Sequence, residues 1–458
     1  MNEKNTENLK LLEKELINKA ITFHEKGNIS EAVKNYKLII DKGLNDPRVF
    51  HYYGLILRQS GKRREAEILI RRAIELEPQN IFASYNLSVL LRELNKLQEA
   101  EKIARKVIKY KPDLAEVHYN LATILKDIGK LKEAEISSRR AIELKTHLVE
   151  AHYILNNILM DLGKLKELID LSQATLKLEI ISQGDRLVVS LMITIAYLLL
   201  GDLPNTLLNM NKTNTLLDQG AINTIINKKT KNHILTFSHF ISRLFPQLEK
   251  NVSKLKKIPH IGESHCLSFS HQTLRISSNL RKIQPVLITG GKAWHFAINK
   301  NNQWKDSLTQ QMKNHNYSDE VFVSFGEIDC RKDQGILSYV IKNSKDIAEV
   351  CEKTVINYLN YMEESLAQNY STRYYFGTPA PLIINKLRDE LDLKRIEIIK
   401  TFNACLKKEV LSRGSFFLDV LDLTSNEYGE NNNLHMCDKI HLSPKCLNFL
   451  FDNHLYKP

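Results

Sequence analysis

The sequence predicts a two-part protein: an all-α solenoid of stacked helix pairs, followed by an α/β domain built on a parallel sheet with helices on both faces. Three observations predict it. Small residues recur every 34 positions through the first 180 residues. The period is lost over residues 183–255, although the text stays helical. From residue 256 onward, short β-rich runs alternate with longer helical stretches. The 458 residues suffice for several cores, and 43% apolar with 26% charged residues is an ordinary globular balance.

Four columns carry the period. Gly27, Gly61, Asn95, Gly129 and Gly163 form the first, and Ala32, Ala66, Ala100, Ala134 and Leu168 follow five residues later. Ala20, Gly54, Ser88, Ala122 and Asn156 form a third, and Ile39, Ala73, Val107, Ala141 and Thr175 a fourth. Each unit reads as two amphipathic helices joined at the Gly/Asn position, where a left-handed conformation costs little. Small residues mark where the paired helices cross. No unit buries its apolar face alone, so neighbours stack and share one core. After a tail, 1–12, the units are 13–46, 47–80, 81–114, 115–148 and 149–182.

Position by position, these columns resemble tetratricopeptide (TPR) repeats. The resemblance implies a concave face, made by the first helix of each unit, that binds a protein or peptide partner. Tyr85, Tyr119 and Tyr153 recur at one position of that helix, with Asn86 and Asn120 beside two of them. Such asparagines can hydrogen-bond the backbone of an extended peptide. The alternative is that the tyrosines pack between helices while the asparagines face water.

Residues 183–255 read as a degenerate sixth repeat, "TIAYLLLGDLPNTL" being out of phase, followed by a helical cap and linker. The apolar stretch "LVVSLMITIAYLLL", 187–200, is too short for a membrane span and reads as a buried helix. The polar opening "MNEKNTENLKLLEKEL" has no apolar h-region, so a cytoplasmic location is expected. Six cysteines with no CxxC pair are expected to be reduced, mostly buried thiols. The net charge of +12 comes from lysines interleaved with glutamates, as in "GKLKEAE". It lacks the basic-aromatic interleaving that base stacking needs, so no nucleic-acid partner is expected.

In the last part, "IPHIG" (258–262), "QPVLITG" (284–290), "EVFVSFG" (320–326), "RYYFGT" (373–378) and "SFFLDVL" (415–421) read as strands, with helices over 344–369 and 388–412. Ligands of such sheets sit at the carboxyl ends of the strands. The residues there are Gly262-Glu263-Ser264-His265, Gly290-Gly291, Gly326-Glu327-Ile328-Asp329-Cys330-Arg331, Thr378-Pro379-Ala380-Pro381 and, beyond a polar loop, Asp438-Lys439-Ile440-His441. A serine, a histidine and a carboxylate therefore converge on one edge. By itself Ser264 reads more readily as a helix N-cap than as a nucleophile.

With these blocks in this order, residues 256–458 resemble the SGNH (GDSL) hydrolases: "GES" for the nucleophile turn, "GG" for the glycine after strand two, and "DKIH" near the end. The resemblance implies a three-layer, flavodoxin-like α/β domain acting as an esterase or acyltransferase on an acyl ester. It implies Ser264 as nucleophile, His441 as base and Asp438 as its orienter. It also implies an oxyanion hole of the backbone N–H groups of Ser264 and Gly290 or Gly291, with Gly326 and Asp329 in support, and Arg331 is a candidate to replace a donor that this chain lacks. Glu263 stands where the family has Asp. Ile328 stands where it has an oxyanion-hole Asn, and losing one such donor costs about two to three orders of magnitude in turnover. The rival reading is therefore an SGNH-like domain that has lost catalysis and serves a binding scaffold. A zinc site in "HMCDKIHLSPKC" would use His435, Cys437, His441 and Cys446, but their spacing matches no paired-ligand knuckle. No metal or cofactor is expected.

Overall fold

The computed structural model describes residues 3–249, 255–276, 278–313, 318–332, 335–383 and 389–458. The junction expected near residue 255 adjoins residues 250–254, outside the described residues, as is residue 388 at the head of one expected helix. The chain divides into two compact units, Met1–Ile154 and Leu155–Pro458.

The first unit is a run of antiparallel helix pairs: Glu3–Glu25 with Ile29–Asp41, Pro47–Gln59 with Arg63–Leu76, Ile81–Glu93 with Leu97–Tyr110, and Ala115–Ile128 with Leu131–Leu144. Each pair turns at the Gly/Asn column, where Gly27, Gly61, Asn95 and Gly129 take φ of 60° to 88°. The small-residue columns are where helices touch. Ala32, Ala66, Ala100 and Ala134 are fully buried. A Cβ on Gly54 would lie 2.6 Å from Ile70 Cγ1. Outside the core, the charges repeat with the helices. Glu67 accepts Arg71 at 2.8 Å and Lys96 at 2.6 Å, and one period on, Glu101 accepts Arg105 and Lys130, each at 2.9 Å.

Helix Val149–Asp161 crosses the unit boundary, and its partner Leu165–Thr175 belongs to the second unit. Next come Gln183–Leu200 and Leu203–Asp218, joined at Gly201, and then Lys228–Leu244. Among the described residues, Gln183–Leu200 is the one helix long and apolar enough to cross a membrane, and most of it is buried inside the unit. A core role explains its composition. Its last carbonyls, orphaned by the helix end, are taken up from the sheet region: Leu198 O by His271 Nε2 at 2.6 Å and Leu199 O by Gln284 Nε2 at 2.7 Å.

The sheet has seven strands: β1 Lys257–Gly262, β2 Thr273–Ile276, β3 Asn279–Leu287, β4 Glu320–Ser324, β5 Thr372–Phe376, β6 Phe416–Leu418 and β7 Leu455–Tyr456. Their order is β2-β3-β1-β4-β5-β6-β7. The inner five are parallel, while β2 and β7 pair antiparallel with β3 and β6. The sheet is therefore mixed, where the sequence led to an all-parallel one. The difference lies in the edges. β7 is two residues long, too short for any period, and β2 pairs with the polar head of β3, which begins five residues earlier than expected. A core fills each face, as alternation demands. Ile261, Val323, Tyr375 and Phe417 point into one, beneath helices Ile347–Leu366 and Glu390–Ser412. Ile258, Phe322, Phe376 and Leu418 point into the other, with Leu447 and Phe451.

Candidate functional site

β1 runs out at Gly262 and the chain coils into a short turn, Ser264–Leu267. Glu263, not Ser264, stands ahead of that turn, and no side chain caps it. The hydroxyl of Ser264 is engaged elsewhere: Oγ lies 2.9 Å from His441 Nε2 and donates to Glu263 Oε2 at 2.7 Å. His441 Nδ1 meets Asp438 Oδ2 at 2.8 Å. The other Asp438 oxygen accepts the backbone N–H groups of Ile440 and His441, both at 2.7 Å. That tight turn is why a carboxylate three residues before a histidine can orient its ring. Burial works against the Asp438 charge, yet these hydrogen bonds and the neighbouring imidazole hold its carboxyl down at about 2.

Two further groups brace the serine. Glu263 and His265 form a buried, directly bonded pair. Burial opposes both charges, but each stabilises the other, so the Glu263 carboxyl falls to about 2 and the His265 imidazole rises to about 9. His265 Nε2 also donates to Ile440 O at 3.1 Å, joining the Ser264 turn to the loop that carries Asp438 and His441. Phe240, from helix Lys228–Leu244, stacks on the His441 ring with centroids 3.8 Å apart. The same segment holds that loop through Arg243 Nη1 to Cys437 O at 3.4 Å, and accepts from Ser443 Oγ at Gln247 Oε1, 2.8 Å.

The expected supporting residues divide. Gly291 is removed as an oxyanion donor because its N–H is spent on Ile288 O at 2.9 Å, which leaves the exposed Gly290. Asp329 is fully buried and accepts the N–H groups of Ala293 and Trp294 at 2.8 and 3.0 Å, so it caps a helix after β3. Burial lifts its carboxyl to about 6 against the pull of those bonds. Gly326 packs against Phe402. Arg331 clasps Glu327 through Nε at 2.8 Å. Ile328 is buried and offers no donor.

Among the described residues, Glu263, His265 and Glu327 are the group whose ligand atoms come close enough for a metal, within 4.8 Å of one another. Their charges are already matched, Glu263 by His265 and Glu327 by Arg331. Of the zinc-type residues in "HMCDKIHLSPKC", His435 stacks on Phe449 and Cys446 lies in the core with Leu450. All six cysteines are free, and five are buried.

In the array, Asn120 differs from the expectation of an amide offered to a peptide. It is buried, and its Nδ2 donates to Ser88 Oγ at 2.7 Å. Asn86 Nδ2 lies 3.0 Å from both His51 Nε2 and Phe82 O. Tyr85, Tyr119 and Tyr153 are half-buried, and burial, with Tyr119 nearby, pushes the Tyr85 hydroxyl up. These side chains pack and bond between helices. Phe240 and the acid-base pairing of Glu263 with His265 were not legible as site features in the sequence. The one available signal was two titratable residues flanking Ser264.

No curated protein matches the chain. Solved structures similar to it include MamA residues 41-end from Desulfovibrio magneticus RS-1, at 20% identity, TM-score 0.35, covering 36% of this chain and 94% of that one. Another is a tetratricopeptide repeat protein from Parabacteroides merdae, at 19% identity, TM-score 0.39, covering 49% and 98%. The tetratricopeptide repeat family model matches three times, at residues 47–80, 83–114 and 115–147. The N-terminal region of this chain is a tetratricopeptide-type helical solenoid.

Proposed function

We propose that the chain is a tetratricopeptide interaction scaffold whose second unit carries a serine ester hydrolase site of the SGNH type. The repeats supply the interaction role, since stacked helix pairs offer an extended surface to a protein partner. The family model matches within residues 47–147 and bears on that role alone. The observation that carries the hydrolase reading is the continuous chain Ser264–His441–Asp438, at 2.9 and 2.8 Å. It is supported by the order of the parallel strands, β3-β1-β4-β5-β6, which is that of flavodoxin-like sheets.

With the Nδ1 proton donated to Asp438, His441 Nε2 accepts the proton of Ser264 as Oγ attacks the acyl carbonyl. His441 then returns that proton to the departing alcohol. Water, or a second alcohol, is deprotonated by the same nitrogen and releases the acyl group. The SGNH reading assigns the oxyanion to the backbone N–H groups of Ser264 and Gly290.

Three observations favour a second reading, in which the unit is SGNH-like but catalytically impaired and the chain is a scaffold only. Ile328 supplies no oxyanion donor, the Gly291 N–H is spent, and Glu263 Oε2 competes with His441 Nε2 for the Ser264 proton. A fluorescent fluorophosphonate probe separates the two. Labelling of the wild type that is absent from a Ser264→Ala variant supports the hydrolase. A folded wild type that takes no label leaves the scaffold reading.

A further inference from the structure

The loop Asp438–His441 is a ridge between two clefts that differ in chemistry. The cleft beyond Lys439 and Ile440 toward the sheet, about 330 Å³, lies outside the carboxyl ends of β4 and β5 and is walled by Glu327, Thr378, Arg331, Lys332 and Arg395. Two of its cations are offset: Arg331 by Glu327, and Lys332 by Asp389 and Asp392 at 3.2 and 2.6 Å. Arg395 reaches Glu327 only at 3.9 Å, with its Nε on Cys330 O at 3.2 Å, and Lys439 is exposed. Among the described residues these four cations face three carboxylates, Glu327, Asp389 and Asp392, which leaves one positive charge in excess in a concave site, where low-dielectric walls concentrate its field. The cleft on the other side of the ridge, about 550 Å³, is bordered by Leu217 and Leu235 and is the more apolar of the two. An acyl chain suits that side.

We propose that the cleft of Arg395 and Lys439 binds an anionic group, a carboxylate or a phosphate, on the alcohol part of the ester cleaved at Ser264. The inference rests on the reading of Ser264 as the reacting group. Its geometry follows from the ridge. Ile440, which borders the cleft, precedes the histidine that touches Ser264, and its carbonyl is held by His265. A substrate whose acyl carbon sits at Ser264 therefore extends its leaving alcohol toward a guanidinium, whose planar fork matches carboxylate and phosphate oxygens.

The test compares three acetyl esters on the full chain: 4-acetoxybenzoate, 4-acetoxyphenyl phosphate and the neutral methyl 4-acetoxybenzoate. We expect kcat/KM for one or both anionic esters to exceed that of the neutral one by about tenfold. The arm with the larger ratio names the anion. The ratio falls toward one in Arg395→Gln, in Lys439→Gln and at about 0.5 M salt. Lys439 is exposed, so its variant stays informative should Arg395→Gln fail to fold. A wild-type ratio near one, or a ratio that neither variant changes, overturns the proposal. Calorimetric titration of Ser264→Ala with 4-acetoxybenzoate separates the two readings. Binding that needs Arg395, in a protein that hydrolyses none of the esters, keeps the cleft and removes the nucleophile. Neither binding nor turnover removes both.

Discussion

The array and the second unit are held together by different kinds of contact. In the array, a side chain's partners lie within its own helix pair or one period away: Arg71 bonds Glu67 four residues back and Glu99 28 residues on. In the second unit, Ser264 finds His441 177 residues away, and Ser443 finds Gln247 across 196. Local contacts make a structure that loses little when one is removed, because each neighbour pair contributes its own term. A site gathered from distant segments behaves as one object, since every member depends on the same strand order. The difference predicts how mutations spread: narrowly in the array, broadly around Ser264.

The largest effect is expected at Asp438. Asp438→Asn keeps the shape but donates where it should accept, which forces the wrong tautomer on His441. Turnover of an acetyl ester falls by about 10⁴-fold with the melting temperature little changed. A loss under tenfold in a protein that does hydrolyse the ester would mean that another group orients His441, and the comparison would fail on its strongest side.

Phe240→Ala comes next. It leaves a cavity costing about 3 kcal/mol and frees one face of the His441 ring. We expect about tenfold slower turnover and an altered pH profile, with Phe240→Tyr restoring both. A melting change with an unchanged pH profile would make Phe240 a packing residue only.

These two residues also mark how far the sequence could be read. The 34-residue columns foretold the turns, down to the left-handed Asn95, because local sequence alone sets a helix pair. The Ser264, Asp438 and His441 blocks were legible because each follows a strand end in the linear order. Phe240 was not. It comes from a segment read as a cap, and its meeting with His441 is decided by how the unit packs. The spent N–H of Gly291 is a turn hydrogen bond no residue type announces. Asn120 misled for the opposite reason: its residue type suits peptide binding, but Ser88 from the neighbouring repeat takes its amide.

A pH scan sharpens the comparison with a smaller effect. His265 titrates at about 9 in the fold against an ordinary 6.5, so its stabilisation is complete below pH 6.5 and is lost as pH rises through 9. Glu263, at about 2 against 4.5, contributes above pH 4.5 and loses its contribution as pH falls through 2. The pair is therefore at full strength between about pH 4.5 and 6.5. In the array, Glu67 and Glu101 are shifted down and Arg71 and Arg105 up, so these ion pairs keep their charges from pH 6.5 to 9. Hydrogen exchange across that range should show protection falling around residues 257–267 but not in helices 63–110, and His265→Gln should flatten the change. Equal loss in both regions would show that the Glu263–His265 pair is not what the alkaline range breaks.

The smallest effect belongs to the charge ladder. Glu101→Gln removes the carboxylate shared by Arg105 and Lys130, both of which stay partly in water. Exposed pairs are worth about 0.2–1 kcal/mol each, partly because holding long side chains costs entropy. Burial also works against this carboxylate before its partners lower its pKa. We expect a loss of about 0.5–1 kcal/mol in urea unfolding, smaller still at high salt, and no change in labelling at Ser264. The ladder repeats at Glu67, so a Glu67→Gln, Glu101→Gln double variant tests the local rule itself. The two sites are one repeat apart and bond different cations, so their costs should add. A double loss well above the sum would mean that the ladder is one cooperative network, and that the array too is held by more than its nearest neighbours.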